Sequence, residues 1–186
     1  MTFEPIEPKY LDMLPAPKDY KNRPKPIIQK NFLTPEEYKR LFDLLLSNGL
    51  FPLFYNCGVG YKGEKDFYFF HNIFDATRGW VGVESVIEAI RPILRKMDIK
   101  ALLRIKINFF TKTEKIQKHS PHIDFPYECK TGLFYVNDND GYTGFADGTK
   151  IPSKGNSLVH FDAGIPHYST TCTDENLRCN INFNYF

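Results

Sequence analysis

The sequence predicts a mostly β domain, a cupin-like jelly roll or double-stranded β-helix, with two N-terminal helices packed on its outer sheet. Segments 104–110 and 178–185 alternate polar and apolar residues, as strands with one buried face do. Segments 34–48 and 83–97 carry apolar residues at helical spacing. Short strand-like runs separated by turn residues fill most of the chain after residue 98. About eight short strands of this kind are typical of a jelly roll.

Length and composition narrow the class of protein. The chain has 186 residues, which predicts one domain with a sizeable core. Aromatic residues make up 16% of the chain and favour β-structure. A net charge of +2 indicates neither nucleic acid nor a membrane surface as a partner. No apolar run approaches the roughly 18 residues of a membrane span, and the N-terminus is not a signal peptide. We therefore expect a cytoplasmic protein.

The N-terminus differs in composition from the rest of the chain. Residues 1–26 contain six of the 13 prolines, and proline favours extended backbone that lacks a hydrogen-bond donor. We predict a proline-rich arm over residues 1–26 and a single domain over 27–186. A peripheral wrap is the favoured role for the arm, and a dimer-exchanged arm or a wall of the substrate groove is the alternative. Monomer and homodimer both stay open.

Two helices are predicted from their ends and apolar faces. Thr34 should cap the first helix, Pro35 should take its first position, and Glu37 should complete a capping box. Gly49 should end this helix. The second helix should span 83–97 and pack with the first on the outside of the sheet.

The aromatic segment between these helices predicts one or two strands around a glycine-bearing loop. Most of its aromatic rings should pack in the core. His71 should be a hydrogen-bonded strand residue. Further along, Asn139-Asp140-Gly141 and Asp147-Gly148 are typical of hairpin turns, and strand 157–161 should lead to His167.

The last strand has two unlike faces. Because side chains alternate along a strand, its amide-rich face and its apolar face are fixed by position. The first comprises Arg178, Asn180, Asn182 and Asn184, and the second comprises Cys179, Ile181, Phe183 and Tyr185. The apolar face should lie beneath the helices. The amide-rich face should line a wet cavity rather than open solvent, because candidate metal ligands lie nearby in the chain.

Three residues are candidate metal ligands. His122 and Asp124 stand two apart, so on a strand both side chains leave the same face. His167 is the best third ligand. Two imidazoles and one carboxylate that leave other positions open are the arrangement of non-haem Fe(II) oxygenases. His119 should face away and support the site, and His160 should be a packing residue.

Arg178 lies eleven positions after His167, across the polar segment 173–176. If this segment turns a hairpin, Arg178 returns on the strand beside the one that carries His167. Its guanidinium could then bind a carboxylate bidentately. The same hairpin would place Cys172 opposite Cys179. Free thiols are preferred to a disulfide in a reducing cytosol, and no Cys-x-x-Cys pair indicates a zinc knuckle.

The ordered set His-x-Asp, distal His and trailing Arg resembles the 2-oxoglutarate- and Fe(II)-dependent oxygenases, in particular their prolyl 4-hydroxylase-like branch. Segment 131–137 looks like the strand that follows the first two ligands in that branch. The C-terminal segment 180–186 looks most like small oxygenases of marine bacteriophages, for which the compartment would be the host cytoplasm. The resemblance covers roughly residues 27–186.

The resemblance implies a cofactor, a cosubstrate and a reaction. Fe(II) would be held by His122, Asp124 and His167, and the 5-carboxylate of 2-oxoglutarate would pair with Arg178. Further contacts with the cosubstrate would come from Tyr135, Asn108, Asn180 and Asn182. Asn108 stands where relatives often carry a tyrosine. With O2, the enzyme would release succinate and CO2 and hydroxylate an unactivated C–H bond, and ascorbate is a candidate reductant.

A prolyl residue of a peptide or protein is the substrate that this branch implies. A nucleobase would normally require a basic, aromatic-lined groove, and the sequence has no concentrated patch of that kind. A free amino acid is a further alternative. The alternative from a different class of protein is a non-catalytic jelly-roll module with a vestigial or structural metal. Arg178 argues against this alternative, because such a module needs no guanidinium at the site.

Overall fold

The computed structural model describes residues 19–47, 49–59 and 65–186. Most of the predicted arm therefore lies outside the described residues, and the domain boundary after residue 26 stays a prediction. The helices are α1, Pro35–Phe42, which continues into a π-helical turn at Asp43–Ser47, and α2, Glu84–Lys96. A single 3-10 turn occupies Tyr20–Asn22.

Antiparallel strands form two sheets in this part of the chain. The strands are β1 (Ile27–Lys30), β2 (Phe54–Cys57), β3 (Phe67–Asp75), β4 (Gly79–Trp80), β5 (Leu102–Thr111), β6 (Lys130–Tyr135), β7 (Tyr142–Phe145), β8 (Lys150–Pro152), β9 (Ser157–Asp162), β10 (His167–Tyr168) and β11 (Leu177–Tyr185). The larger sheet has the order β1-β9-β6-β11-β5-β3-β2, with β4 also paired to β3. The smaller sheet has the order β10-β7-β8. The predicted mostly β class is confirmed.

Helix α1 begins as its sequence predicts. Thr34 Oγ1 accepts a hydrogen bond from the Glu37 amide at 3.3 Å, and the Glu37 carboxylate accepts one from the Thr34 amide at 3.0 Å. Pro35 takes the first helical position, where its missing N–H has no partner to lose. Gly49 follows with φ +62°, the left-handed conformation that ends helices.

The helices pack on the outer face of the larger sheet. Helix α2 buries Val86, Ile90 and Ile93 in the same apolar cluster as Ile181 and Phe183 of β11. This confirms that the apolar face of the last strand lies beneath the helices. A second apolar cluster lies between the sheets and comprises Leu133, Tyr135, Phe145, Ile151, Val159, Phe161 and Ile165.

One of the two predicted hairpin turns is confirmed. Asp147-Gly148 joins β7 to β8, and Gly148 adopts φ +87°, which a side chain would disfavour. The prediction for Asn139-Asp140-Gly141 is wrong, because this segment connects β6 of the larger sheet to β7 of the smaller sheet. The Asn139 side chain accepts a hydrogen bond from the Gly141 amide at 3.1 Å and turns the chain without pairing the strands.

The predicted placement of Arg178 beside the strand of His167 is also wrong. Strand β10 pairs with β7, whereas β11 lies between β5 and β6 in the other sheet. The nine-residue β11 buries both of its faces and fills the centre of the larger sheet, where it has a partner on each side. Arg178 therefore approaches the site from the opposite wall.

Two smaller predictions are confirmed. Cys172 and Cys179 are free thiols, and Cys179 lies opposite Phe109 rather than Cys172. His71 Nδ1 donates to the carbonyl of Pro52 at 2.8 Å. Neither helix in the described part of the chain has the length and apolar character that crossing a membrane requires.

Candidate metal centre

Three side chains from different parts of the chain converge in the space between the sheets. The ligand atoms of His122, Asp124 and His167 all lie within 4.8 Å of one another. The backbone places them, because His122 and His167 exchange two N–H···O hydrogen bonds of 2.9 Å each. The Asp124 amide donates to the carbonyl of Ala163 at 3.0 Å. The main chain therefore brings the three residues together without help from an ion.

Both imidazoles present Nε2 to this site. The Nδ1 atom of His167 donates to the carbonyl of Ile165 at 2.9 Å, and that of His122 points at the carbonyl of Ser120 at 3.4 Å. This fixes the tautomer that leaves Nε2 free to bind a metal. Burial, together with the neighbouring His167, lowers the pKa of His122 to about 4. His122 is therefore neutral near pH 7, as a metal ligand must be.

Asp124 is held by four side chains. Thr131 donates to its carboxylate at 2.7 Å, Asn184 at 3.0 Å and Asn182 at 3.2 Å. Arg104 forms a 3.2 Å ion pair with it. Burial alone would raise the pKa of Asp124, but the neighbouring His167 and the Arg104 guanidinium lower it below its ordinary value. Asp124 is therefore a fixed, ionised carboxylate.

The amide-rich face of β11 lines the same cavity as these three residues. Asn108 of β5 and Asn180 and Asn182 of β11 contribute to the cavity wall, which confirms the predicted cavity. Asn108 donates to Asn180 Oδ1 at 3.0 Å, and its own Oδ1 has no hydrogen-bond partner within the described residues. Asn182 donates to Asp124 and thus supports the carboxylate directly.

Arg178 is fully buried at the far end of this face. Its Nη atoms donate to the carbonyl of Thr170 at 3.3 Å and to Thr143 Oγ1 at 3.1 Å. The rings of Phe110 and Tyr135 stack on it at 5.3 and 5.7 Å. Among residues 19–47, 49–59 and 65–186, no carboxylate forms an ion pair with it, and its Nε has no partner.

An unpaired buried guanidinium is unfavourable, since a charge removed from water needs a counter-charge. Burial lowers the pKa of Arg178, but arginine remains protonated at neutral pH. Tyr135 lies against Arg178 and donates to Thr143 Oγ1 at 2.8 Å. The arrangement fits an anionic ligand that reaches from the histidines and Asp124 to Arg178.

Two further histidines, His119 and His160, lie apart from the three-residue cluster. His119 is buried, shares a 2.8 Å hydrogen bond with Ser169 Oγ and stacks on Phe110. His160 is bonded to the Tyr185 hydroxyl at 2.9 Å on the opposite face of the sheet. Sequence reasoning missed Arg104, Thr131 and Thr143. The period-two pattern of 104–110 was the available signal for Arg104, because it shares a face with Asn108.

Gly141 leaves the space that the Arg178 side chain occupies. A Cβ atom there would lie 2.7 Å from Arg178 Cδ and 2.7 Å from the Thr171 carbonyl oxygen. We expect Gly141→Ala to displace Arg178 and to weaken binding of an anion by about tenfold or more, at a stability loss of about 1–3 kcal/mol. Calorimetric titration with 2-oxoglutarate would measure the loss of affinity. Gly132→Ala is the matched control, because its one close contact would be the flexible end of Met97 at 2.8 Å, with Leu158 and Tyr185 at an ordinary 3.6 Å. Equal weakening in both variants would contradict the prediction.

Comparison with known proteins relates this site to a class of enzymes by fold. No family model and no curated protein matches the sequence. Among solved structures, a Pseudomonas putida prolyl-4-hydroxylase superposes with a TM-score of 0.60 at 13% identity, over 90% of this chain and 95% of that one. A Trichoplax adhaerens prolyl hydroxylase, solved with a hypoxia-inducible-factor peptide, gives 0.58 at 16% identity, over 87% and 83%.

The epimerase SnoN from nogalamycin biosynthesis, solved with Fe3+, alpha ketoglutarate and nogalamycin RO, superposes with a TM-score of 0.62 at 14% identity, over 90% of this chain and 81% of that one. The chain thus has the fold of the 2-oxoglutarate- and Fe(II)-dependent oxygenases. The solved structures that share this fold with the chain include prolyl hydroxylases. The predicted jelly roll is confirmed.

Proposed function

We propose that the protein is a 2-oxoglutarate- and Fe(II)-dependent dioxygenase that hydroxylates an unactivated C–H bond and releases succinate and CO2. The observation that carries the proposal is Arg178, a buried cation without a counter-charge among the described residues. It lies directly behind Thr143, which lines the cavity together with His122, Asp124 and His167. A dicarboxylate would satisfy both features, because one end would bind the metal and the other end would pair with Arg178.

The set of donors favours iron as the metal. His122, His167 and Asp124 offer two imidazole nitrogens and one carboxylate, which is the ligand set of non-haem Fe(II) oxygenases. Structural zinc sites usually have four protein ligands, often with thiolates, and no cysteine belongs to this group. SnoN, which shares the fold, was solved with Fe3+ and alpha ketoglutarate. Bound iron and 2-oxoglutarate would supply the activation of O2.

The chain's own residues would position and protect this chemistry. The two Nε2 atoms and the Asp124 carboxylate would hold the metal on one side and leave the other side open. Arg178 would bind the 5-carboxylate, and Thr143 and Tyr135 would fix the guanidinium. Asn108 and Asn180 would offer amide groups along the cosubstrate. The apolar cluster between the sheets would limit the access of water.

A prolyl residue of a peptide or protein is the substrate that we propose. Prolyl hydroxylases share the fold, and one of them was solved with a peptide fragment. O2 is the second substrate of the proposed reaction, and ascorbate is proposed as an accessory reductant. We place the reaction in the cytoplasm, or in the host cytoplasm for a phage protein.

The first test is an anaerobic titration of the Fe(II)-loaded protein with 2-oxoglutarate, followed by the weak visible charge-transfer band of the chelate. We expect a saturable band in the parent and in His160→Ala, because His160 lies on the opposite face of the sheet. His122→Ala should show no band. A folded parent protein that shows no band would contradict the proposal and favour a non-catalytic binding module.

A further inference from the structure

Lys106 is a cation of the cavity wall that the proposed reaction does not use. It lies on β5 between Arg104 and Asn108, on the same face of the strand, and it lines the cavity together with His122 and Asp124. It is half-buried. Its Nζ donates to the Tyr68 hydroxyl at 3.0 Å and lies 5.2 Å from the centre of the Tyr68 ring.

The cations on this face differ in their partners. Arg104 is neutralised by Asp124 at 3.2 Å. Lys106 forms no ion pair with any carboxylate in the described parts of the chain, and its hydrogen-bond partner there is a neutral phenol. A half-buried ammonium keeps its charge most readily beside an anion, and a charge-assisted hydrogen bond is roughly twice as strong as a neutral one.

Lys106 is placed too far from Arg178 for both to hold the same end of one ligand. Lys106 lies opposite Asn182, whereas Arg178 lies opposite Phe110, four residues further along β5. At a strand rise of about 3.4 Å per residue, the two positions are separated by roughly 13 Å. Lys106 also extends toward Tyr68 on β3, away from the β6 side where Tyr135 covers Arg178.

The wall formed by Lys106 and Tyr68 faces the cavity beside the three candidate ligands, and Val59, just after β2, lines the cavity as well. With 2-oxoglutarate extended between the metal and Arg178, this wall is left for the molecule that is oxidised. A substrate group bound here would lie next to the metal, where its reacting C–H bond must be.

We propose that Lys106, supported by Tyr68, binds a carboxylate of the substrate and thereby selects acidic substrates. The proposal rests on the proposed function, because it assigns the remaining wall of the same site. The carboxylate can come from two sources: the α-carboxylate of a free or C-terminal amino acid, or an acidic side chain next to the oxidised residue in a peptide. Lys106 is thus a specificity-determining residue.

The test uses anaerobic protein loaded with Fe(II) and 2-oxoglutarate, titrated by calorimetry with pairs of probes that differ in one carboxylate. L-proline is compared with L-prolinamide, acetyl-proline with acetyl-prolinamide, and acetyl-Gly-Pro-Asp-amide with acetyl-Gly-Pro-Asn-amide. In at least one pair, we expect the acid to bind at least about tenfold more tightly than the amide, because its carboxylate would form a hydrogen bond between charged groups. The pair that discriminates identifies the source of the carboxylate.

Variants assign the discrimination to Lys106. Lys106→Met should lose the preference for the acid and keep the parent's affinity for 2-oxoglutarate, whereas Lys106→Arg should retain most of the preference. Lys112→Met is the matched control, because Lys112 is exposed just beyond the end of β5. Oxygen-dependent succinate release with the same probes gives a second readout.

Three results would overturn the inference: acids and amides that bind equally or not at all to loaded protein, discrimination that survives in Lys106→Met, or loss of 2-oxoglutarate binding in that variant. The last result would assign Lys106 to the cosubstrate instead. Failure of the proposed function is a different result, because the parent protein would then bind no 2-oxoglutarate.

Discussion

Replacement of Arg178 by methionine is expected to abolish measurable 2-oxoglutarate binding to the Fe(II)-loaded protein while the metal still binds. Loss of one partner of a buried, hydrogen-bonded charge pair costs about 2–5 kcal/mol, which raises a dissociation constant by roughly 30-fold to several thousandfold. Arg178 is fully buried behind the cavity-lining Thr143 and has no counter-charge in the described chain. No other described contact would replace it at that end of the cavity.

The same variant also separates a functional arginine from a structural one. Because the guanidinium is buried without a counter-charge among the described residues, methionine of similar length should leave the unfolding midpoint of the apoprotein unchanged or higher. A structural arginine would give the opposite result. Arg178→Lys is the control, since it keeps the charge but loses the fork that reaches Thr143 and Thr170. Intermediate 2-oxoglutarate affinity is expected for it, and parent-like affinity in Arg178→Met would refute the assignment.

Replacement of Asp124 by alanine is expected to remove metal binding and to destabilise the apoprotein by about 3–5 kcal/mol. The carboxylate is the acceptor for Thr131, Asn182 and Asn184 and the partner of Arg104. Its loss would leave these buried groups unsatisfied and Arg104 without its counter-charge. Urea unfolding of metal-free protein would measure the effect.

His122→Ala is the contrasting variant for this experiment. Its ring makes only a long 3.4 Å hydrogen bond with the Ser120 carbonyl, and its backbone pairing with His167 does not depend on the side chain. We expect it to lose Fe(II) binding with a much smaller loss of stability than Asp124→Ala. Equal destabilisation by the two variants would contradict the larger contribution expected from the carboxylate network.

The structural features that depend on the spacing of neighbouring residues could be predicted from the sequence. The capping box at Thr34 and Glu37 follows from four adjacent residues, and the two faces of β11 follow from alternation along one strand. His122 and Asp124 do converge, but their predicted placement on a strand is wrong: the segment between β5 and β6 is irregular, and of these two residues only His122 forms an isolated bridge, with His167. His167 stands at the start of β10, the strand after β9.

The assignment of strands to sheets could not be predicted in this way. The segment after Cys172 has the residues of a hairpin turn, yet β11 pairs with β5 and β6, far earlier in the chain. The side chain of Asn139 similarly turns the chain between sheets instead of closing a hairpin. Both outcomes depend on which distant strands bury the faces of β6 and β11, and this information is not local. The partners of Asp124 depend on the same long-range pairing.

The attachment of the candidate ligands to different sheets has a mechanical consequence. Asp124 is tied to β6 and β11 of the larger sheet through Thr131, Asn182 and Asn184, whereas His167 begins β10 of the smaller sheet. An ion bound by both would act as a cross-link between the two halves of the sandwich and close a loop of more than forty residues. The short strands β7, β8 and β10 would then resist local opening most strongly in metal-loaded protein. Protease resistance and lifetime in the cell would accordingly report the supply of that metal as well as folding.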